Sequence, residues 1–380
     1  RPIRGRWFFL RIALFALPIA LPIFFVTGFL MWIGESMPLR MVVEMQQSDT
    51  PVLFRPAYGN RDEQFKLLSA NVNQPQVLVI GSSRVLQFRE HFLTENPDAF
   101  YNAAAPAWQL DEISNLLFNL ESVPQVVLLG VDPVWFNEEY PGDPIVEPPM
   151  SDYDRIWRVN RTFIQDLLDG ETFDVPMLLR REEPGGSGGI ALGLRAIRDG
   201  HGFRNDGSEQ YGDFLVAQYL WPPNLRGYHM QLFADGEQMY TEGSVVSETR
   251  LAQLDQILRW AQENDVLLIG FSPPYMPSLW DELAVSERHT YIQQLLPMLQ
   301  AHFTEYGFPY YEFSDGAALG ATDEDFFDGW HGSERVAAQI YIDIAQDVPE
   351  LDALSDLDAL QQVVDTAPDT FRVFSFLAPR

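Results

Sequence analysis

The stretch VLVIGSSRVLQF, residues 77–88, decides how the rest of the chain is read. It opens as a short run of aliphatic residues closed by a glycine, the pattern of a strand covered on both faces in a parallel sheet. It then stops on two serines and Arg84 before an amphipathic pattern begins. A serine at a strand-to-helix turn is pushed out over the sheet edge, beside N–H groups that favour developing negative charge. The same serines also suit the plain role of capping a helix. A hydroxyl is a weak nucleophile near neutral pH, so chemistry at Ser82 or Ser83 requires a base from elsewhere in the chain.

Working outward, the strand signal recurs. QVLVIG (76–81), AFYNAAAP (99–106), QVVLLGVD (125–132), DVLLIGFSPP (265–274) and FPYYEF (308–313) read as strands. Residues 110–122, 245–264, 289–307 and 333–346 carry apolar positions at helical spacing. Apolar strands alternating with helices predict an α/β fold with a doubly wound parallel sheet. From Trp135 to Gly243 the rhythm gives way to Pro, Gly, Trp and Tyr. A stretch of roughly a hundred residues is too long for an idle loop, so 135–243 reads as an inserted lid over the carboxyl edge of the sheet. The expected plan is a membrane anchor at 7–34, a connecting segment at 35–74, a domain at 75–350 containing that lid, and a tail at 351–380.

The anchor rests on Ile12–Gly34, 23 residues without a charge. As a helix they reach about 35 Å, against a hydrocarbon core of about 30 Å. Arg1, Arg4, Arg6 and Arg11 flank one end and Glu35 the other. That bias puts the N-terminus in the cytoplasm and the bulk of the chain in the periplasm or outside the cell. Pro18 and Pro22 kink such a helix without forbidding it. The apolar run is longer than that of a cleaved signal peptide.

The chain has 54 acidic and 25 basic residues, a formal charge of −29, and no cysteine. The charge argues against nucleic acid and against broad contact with anionic lipid. Disulfides and thiolate metal sites are excluded. Neither a P-loop, nor G-x-G-x-x-G, nor His-Glu-x-x-His is present, no loop has calcium-ligand spacing, and no cofactor or metal is implied.

A second constellation lies near the C-terminus, in DEDFFDGWHGSERVAAQI (323–340). Asp328 and His331 stand two residues apart just before a helix, where a turn brings both side chains to one side. An aspartate so placed orients a histidine that accepts a serine proton. The six histidines are His91, His201, His229, His289, His302 and His331; His331 alone has an acid at such spacing beside a small residue and a helix start. An ordinary surface histidine in an acidic turn has the same local appearance. GGSGG (185–189) also satisfies G-x-S-x-G, but RREEP rather than a strand precedes it, and Ser187 reads as a loop tip. Arg84 and Trp330 are candidates for touching substrate. FRNDGS (203–208) reads as a turn, and Trp135, Tyr211, Trp221 and Tyr228 either stack on sugar rings or form the insertion's own core.

Taken together, GSSR after an early strand and DGWH before the last core helix resemble the SGNH/GDSL hydrolase superfamily. The resemblance covers about 75–134 and 245–346. It implies a flavodoxin-like three-layer fold, with Ser83 as nucleophile, His331 as base and Asp328 as its orienting partner. YNAAAPAW resembles the second block, with Ala107 where a glycine N–H serves the oxyanion hole. GVDP resembles the third block, with Asp132 where an asparagine donor is expected. A carboxylate does not donate unless protonated, so Ser83 and Ala107 N–H groups, Asn102 or Asn137 become the alternative donors. An anchor combined with GSS and Asp-x-x-His resembles a divergent branch, DltD-like and alginate-acetylation-type proteins. That implies a serine esterase or O-acyltransferase acting on cell-envelope polysaccharide beside a multi-pass membrane O-acyltransferase. The rival readings are a non-catalytic SGNH-like protein that binds glycan or docks that partner, and a phosphate-binding domain using the GSSR N–H groups.

Overall fold

The computed structural model describes residues 3–106, 109–140, 149–184, 188–212 and 224–374. Strands in chain order are β1 (Val52–Phe54), β2 (Val77–Ile80), β3 (Phe100–Asn102), β4 (Val126–Gly130), β5 (Ile190–Leu192), β6 (His201–Phe203), β7 (Glu209–Tyr211), β8 (Leu267–Ser272) and β9 (Tyr310–Glu312). The chain divides into two compact units, Arg1–Arg61 with Pro149–Gly202, and Asp62–Pro148 with Phe203–Arg380.

The second unit holds a five-stranded sheet in the order β3-β2-β4-β8-β9, parallel throughout. Each expected strand is found, shortened at its ends, and β2 and β4 are buried along their whole length. Burial on both faces is why they read as continuous aliphatic runs rather than alternating ones. The expected helices are Leu110–Phe118, Glu248–Glu263, Thr290–Glu305 and Glu334–Asp347. Chain order runs from β2 out to β3, then back across β2 to β4. The direction of winding therefore reverses between the carboxyl ends of β2 and β4, the place where open α/β sheets bind ligands. Residues 81–84 and Asp132 leave the sheet at those two ends.

The first unit pairs β1 with β5 in parallel. Among the described side chains of the N-terminal helix Ile3–Trp32, burial falls in its last turns: Leu30 packs with Ile33, Val159, Phe163, Leu178, Ala191, Leu194 and Ile197. Phe15 and Phe24, further from that core, are 81% and 72% exposed. Among the described residues no helix is long and apolar enough to cross a membrane. The structure therefore gives the spanning expectation for 7–34 no support, and it rests on the sequence pattern alone.

Three segments organise differently from the sequence plan. The connecting segment 35–74 contains the helices Leu39–Gln46 and Asp62–Asn73 as well as β1. The stretch 135–243 is not one insertion, because its part from Pro149 to Gly202 belongs to the unit of the N-terminal helix. The cause is the helix Asp152–Leu168, whose buried Val159 and Phe163 pack on Leu30 and Ile33. The region after 350 includes the helix Leu357–Thr366, which buries Leu360 and Val364 and packs on Glu334–Asp347.

Candidate active site

The serine turn is built by close packing rather than by a helix. After β2, Ser83–Val85 make a single 3-10 turn, and among the described residues no α-helix follows before Leu110. Residues 84–89 are all buried, which leaves no solvent face for the amphipathic helix that the sequence suggested. The turn is seated by Val85, whose Cγ1 lies where a Cβ on Gly130 would come within 2.5 Å. The glycine ending β4 thus lets the serine turn approach the neighbouring strand. Ser82 fills the capping role, its Oγ accepting from the Arg84 N–H at 3.3 Å. Ser83 is left half-buried, its hydroxyl free for other work.

The Asp–His loop is closed at its base by a bridge between Phe326 and Gly332, with Phe327 N–H donating to His331 O at 3.0 Å. Inside that loop Asp328 Oδ1 accepts from the backbone N–H groups of Trp330 at 2.6 Å and His331 at 2.8 Å. Curling the chain around the carboxylate in this way turns the two side chains to one side.

The two segments, 248 residues apart, meet: Ser83 Oγ lies 2.7 Å from His331 Nε2. His331 Nδ1 lies 2.8 Å from Asp328 Oδ2. With Nδ1–H donating to the carboxylate, Nε2 carries the free lone pair and accepts the Ser83 proton. Asp328 is 5% exposed. Burial alone would raise its carboxyl, but the charge and hydrogen bond of His331, together with His229 and the Trp330 amide, hold it well below the usual carboxylate range. It is therefore ionised wherever His331 is functional.

Arg84 is engaged inside the protein by its own fold. Its guanidinium donates to Asp132 Oδ1 at 2.8 Å, Pro273 O at 2.6 Å, Pro274 O at 2.7 Å and Trp330 O at 3.3 Å. It lies between the rings of Tyr275 and Trp330, 4.3 and 4.4 Å from their centroids. Trp330, the other residue expected at substrate, is buried in this sandwich. Arg84 thereby ties the serine turn to the end of β4, the loop after β8 and the backbone of the histidine loop.

Asp132 is the counter-charge of that strap. Its second oxygen accepts the Ser82 hydroxyl. An asparagine-type donor is absent here because the position pairs with an arginine. Asn102 is equally engaged: its Nδ2 donates to Val85 O and Phe88 O, and its Oδ1 accepts from Ala104 N–H. Asn137 Nδ2 donates to Thr241 O and Glu242 O. None of these three side chains is an oxyanion donor. Ser83 N–H takes no partner among the described residues. Ala107 lies outside the described residues, as do Ser187 and Trp221.

Of the other aromatic candidates, Trp135 is core, Tyr228 is 39% exposed, and Tyr211 is buried with its OH 3.4 Å from Ser83 O. FRNDGS does turn, with Gly207 N–H donating to Arg204 O, but its aspartate points inward. Asp206 accepts from Arg89 Nε at 3.2 Å, and Arg89 also pairs with Glu334. Burial would raise the Asp206 carboxyl, yet Arg89 and Arg204 hold it well below the ordinary range. Glu90 and His91 come within ligand distance of Asp206. The aspartate already answers Arg89, the Glu90 N–H and Ser208, so the group reads as part of an ion network.

The sequence passed over His229. Its Nε2 lies 3.4 Å from Asp328 Oδ2 and its Nδ1 2.9 Å from the Tyr240 hydroxyl. His229 lies on the helix Leu225–Asp235, and no local spacing links 229 to 328, so nothing in the sequence marked the contact. No protein-family model matches this chain, and no curated protein shows a significant match to it.

Proposed function

We propose that this chain is a membrane-anchored serine esterase or O-acyltransferase of SGNH type, working outside the cytoplasm on acyl groups of cell-envelope polysaccharide. The observation that carries the reading is the continuous relay from Ser83 Oγ through His331 to Asp328, at 2.7 and 2.8 Å. His331 Nε2 takes the hydroxyl proton as Ser83 Oγ attacks the acyl carbonyl carbon. The tetrahedral intermediate collapses when the imidazolium returns that proton to the departing alcohol oxygen, leaving an ester on Ser83. Water or a sugar hydroxyl then attacks that ester, His331 again taking and returning the proton. The Ser83 N–H is the donor available beside the developing oxyanion.

The anchor at 7–34 and the N-in orientation rest on the uncharged run 12–34 and its arginine flank. A multi-pass O-acyltransferase in the same membrane is the partner this reading names. The test is labelling by a fluorophosphonate probe. The intact chain labels on one serine, and Ser83→Ala abolishes labelling while leaving thermal unfolding unchanged. Absence of labelling in pure, folded protein overturns the reading.

One observation favours a second reading, a non-catalytic scaffold that binds glycan or docks the acyltransferase. Asp132, Asn102 and Asn137 are all committed to structure, so no side chain among them stabilises an oxyanion. Losing one such donor costs about 10²–10³ in rate. The labelling experiment separates the two.

A further inference from the structure

We infer that His229 is a positioning residue of the candidate active site, a second imidazole beside the triad carboxylate oxygen that holds His331. The inference rests on the proposed role of the Ser83–His331–Asp328 relay, and extends it by two members. His229 Nδ1 lies 2.9 Å from the Tyr240 hydroxyl; with that hydroxyl donating, the ring's proton is on Nε2. His229 Nε2 lies 3.4 Å from Asp328 Oδ2, a close electrostatic contact rather than an aligned hydrogen bond, on the same oxygen that holds His331 Nδ1. The order is Tyr240, His229, Asp328, His331, Ser83.

The packing is built for this arrangement. A Cβ on Gly329 would lie 3.1 Å from both His229 Cβ and Tyr240 OH, and 2.8 Å from Leu279. The glycine of DGWH therefore lets the histidine loop close down on His229 and Tyr240. His229 and Asp328 are both buried, where an N–H dipole acts on a carboxylate with little screening. Other titratable or charged neighbours are few. His331 lies beyond Asp328 and Tyr228 is next in sequence. Arg226, from the same helix, pairs with Glu324, while Arg84 and Tyr275 act on Tyr240. Burial lowers the His229 titration, against the pull of Asp328, which favours the neutral ring, so that a dipole rather than a full charge faces the carboxylate.

The physical consequence has a sign. The positive end of the His229 N–H dipole near Oδ2 stabilises the carboxylate's charge and weakens its hold on the imidazolium. Removing the donor strengthens that hold, so His331 keeps its proton to higher pH and is a poorer base at neutral pH. An equivalent donor from a glutamine restores the balance.

The experiment titrates His331 by nitrogen-detected NMR in the full chain and, separately, follows the pH dependence of fluorophosphonate labelling. His229→Phe is expected to raise the His331 midpoint by about half a pH unit or more, and to move the acid limb of the labelling profile by the same amount. His229→Gln is expected to stay close to the parent. If His229→Phe does not fold, Tyr240→Phe, which frees the tautomer, is expected to shift the midpoint instead. An unmoved midpoint in the folded variant overturns the inference while leaving the proposed function standing. A shifted midpoint in a chain that the probe never labels supports the electrostatic link and overturns the catalytic reading.

Discussion

Replacing Asp132 with asparagine puts back the residue type that the superfamily resemblance expects, and it makes the sharpest test of the strap around Arg84. If the position served the oxyanion, Asp132→Asn would supply a missing donor and speed probe labelling by about 10²–10³. The geometry says otherwise. Asp132 is 1% exposed, pairs with Arg84 at 2.8 Å and accepts the Ser82 hydroxyl. An asparagine there retains one acceptor oxygen but removes the charge that balances a buried guanidinium. A hydrogen bond to a charged group contributes about 1.5–3 kcal/mol. Deleting one partner of a buried pair outright costs about 3–5 kcal/mol. The carbonyls of Pro273, Pro274 and Trp330 still hold Arg84, so a loss of about 2–3 kcal/mol is expected. For a chain of this size that lowers Tm by roughly 3–5 °C. The assay is thermal unfolding followed by intrinsic fluorescence, run beside the labelling rate. The expected result is a lower Tm with no gain in labelling. A hundredfold faster reaction at unchanged Tm would refute the assignment of Asp132 to the strap.

Two further predictions concern pH and the membrane. Asp206 and Asp328 both sit well below the ordinary carboxylate range, so their stabilisation is full above about pH 4 and is lost as the pH falls below it. Glu35 behaves oppositely: burial pushes its carboxyl up to about 7, so its contribution is full below the unfolded carboxylate value and is lost as the pH rises through 7. Glu35→Gln should flatten the decline of Tm between about pH 5 and 8 without altering the acid side; an identical decline in the variant refutes the assignment. The chain has no cysteine, so Phe15→Cys carries a nitroxide at a unique position. In vesicles of phosphatidylcholine with phosphatidylglycerol, that label should be open to oxygen and shielded from a water-soluble nickel quencher. A label as open to nickel as one at Val285→Cys, an exposed site of the other unit, refutes the anchor.

Much of the site was readable because its signals are local. The strands β2, β4 and β8 are buried on both faces, and burial of that kind writes itself as aliphatic runs. Asp328 and His331 share one tight loop, so their spacing in sequence is nearly their spacing in space. The misreadings share a different cause. Arg84, in the first turn after a strand, has the composition of a solvated residue, and its burial depends on two prolines, a tryptophan and an aspartate from three other segments. The segment after Ser83 has helical periodicity, yet Asn102 takes the carbonyls of Val85 and Phe88 and both faces are covered.

By itself the sequence determined the parallel α/β sheet, the strand that delivers the serine and the loop that pairs an aspartate with a histidine, because hydrophobic period and short-range turns are properties of neighbouring residues. Tertiary structure alone decided that the hydroxyl at 83 meets the imidazole at 331, that Asp132 answers Arg84 instead of a substrate, and that His229 stands behind Asp328. Those are pairings of groups many residues apart, and they form only because removing charges and hydrogen-bonding groups from water obliges each to find a partner in whatever segment the fold brings beside it.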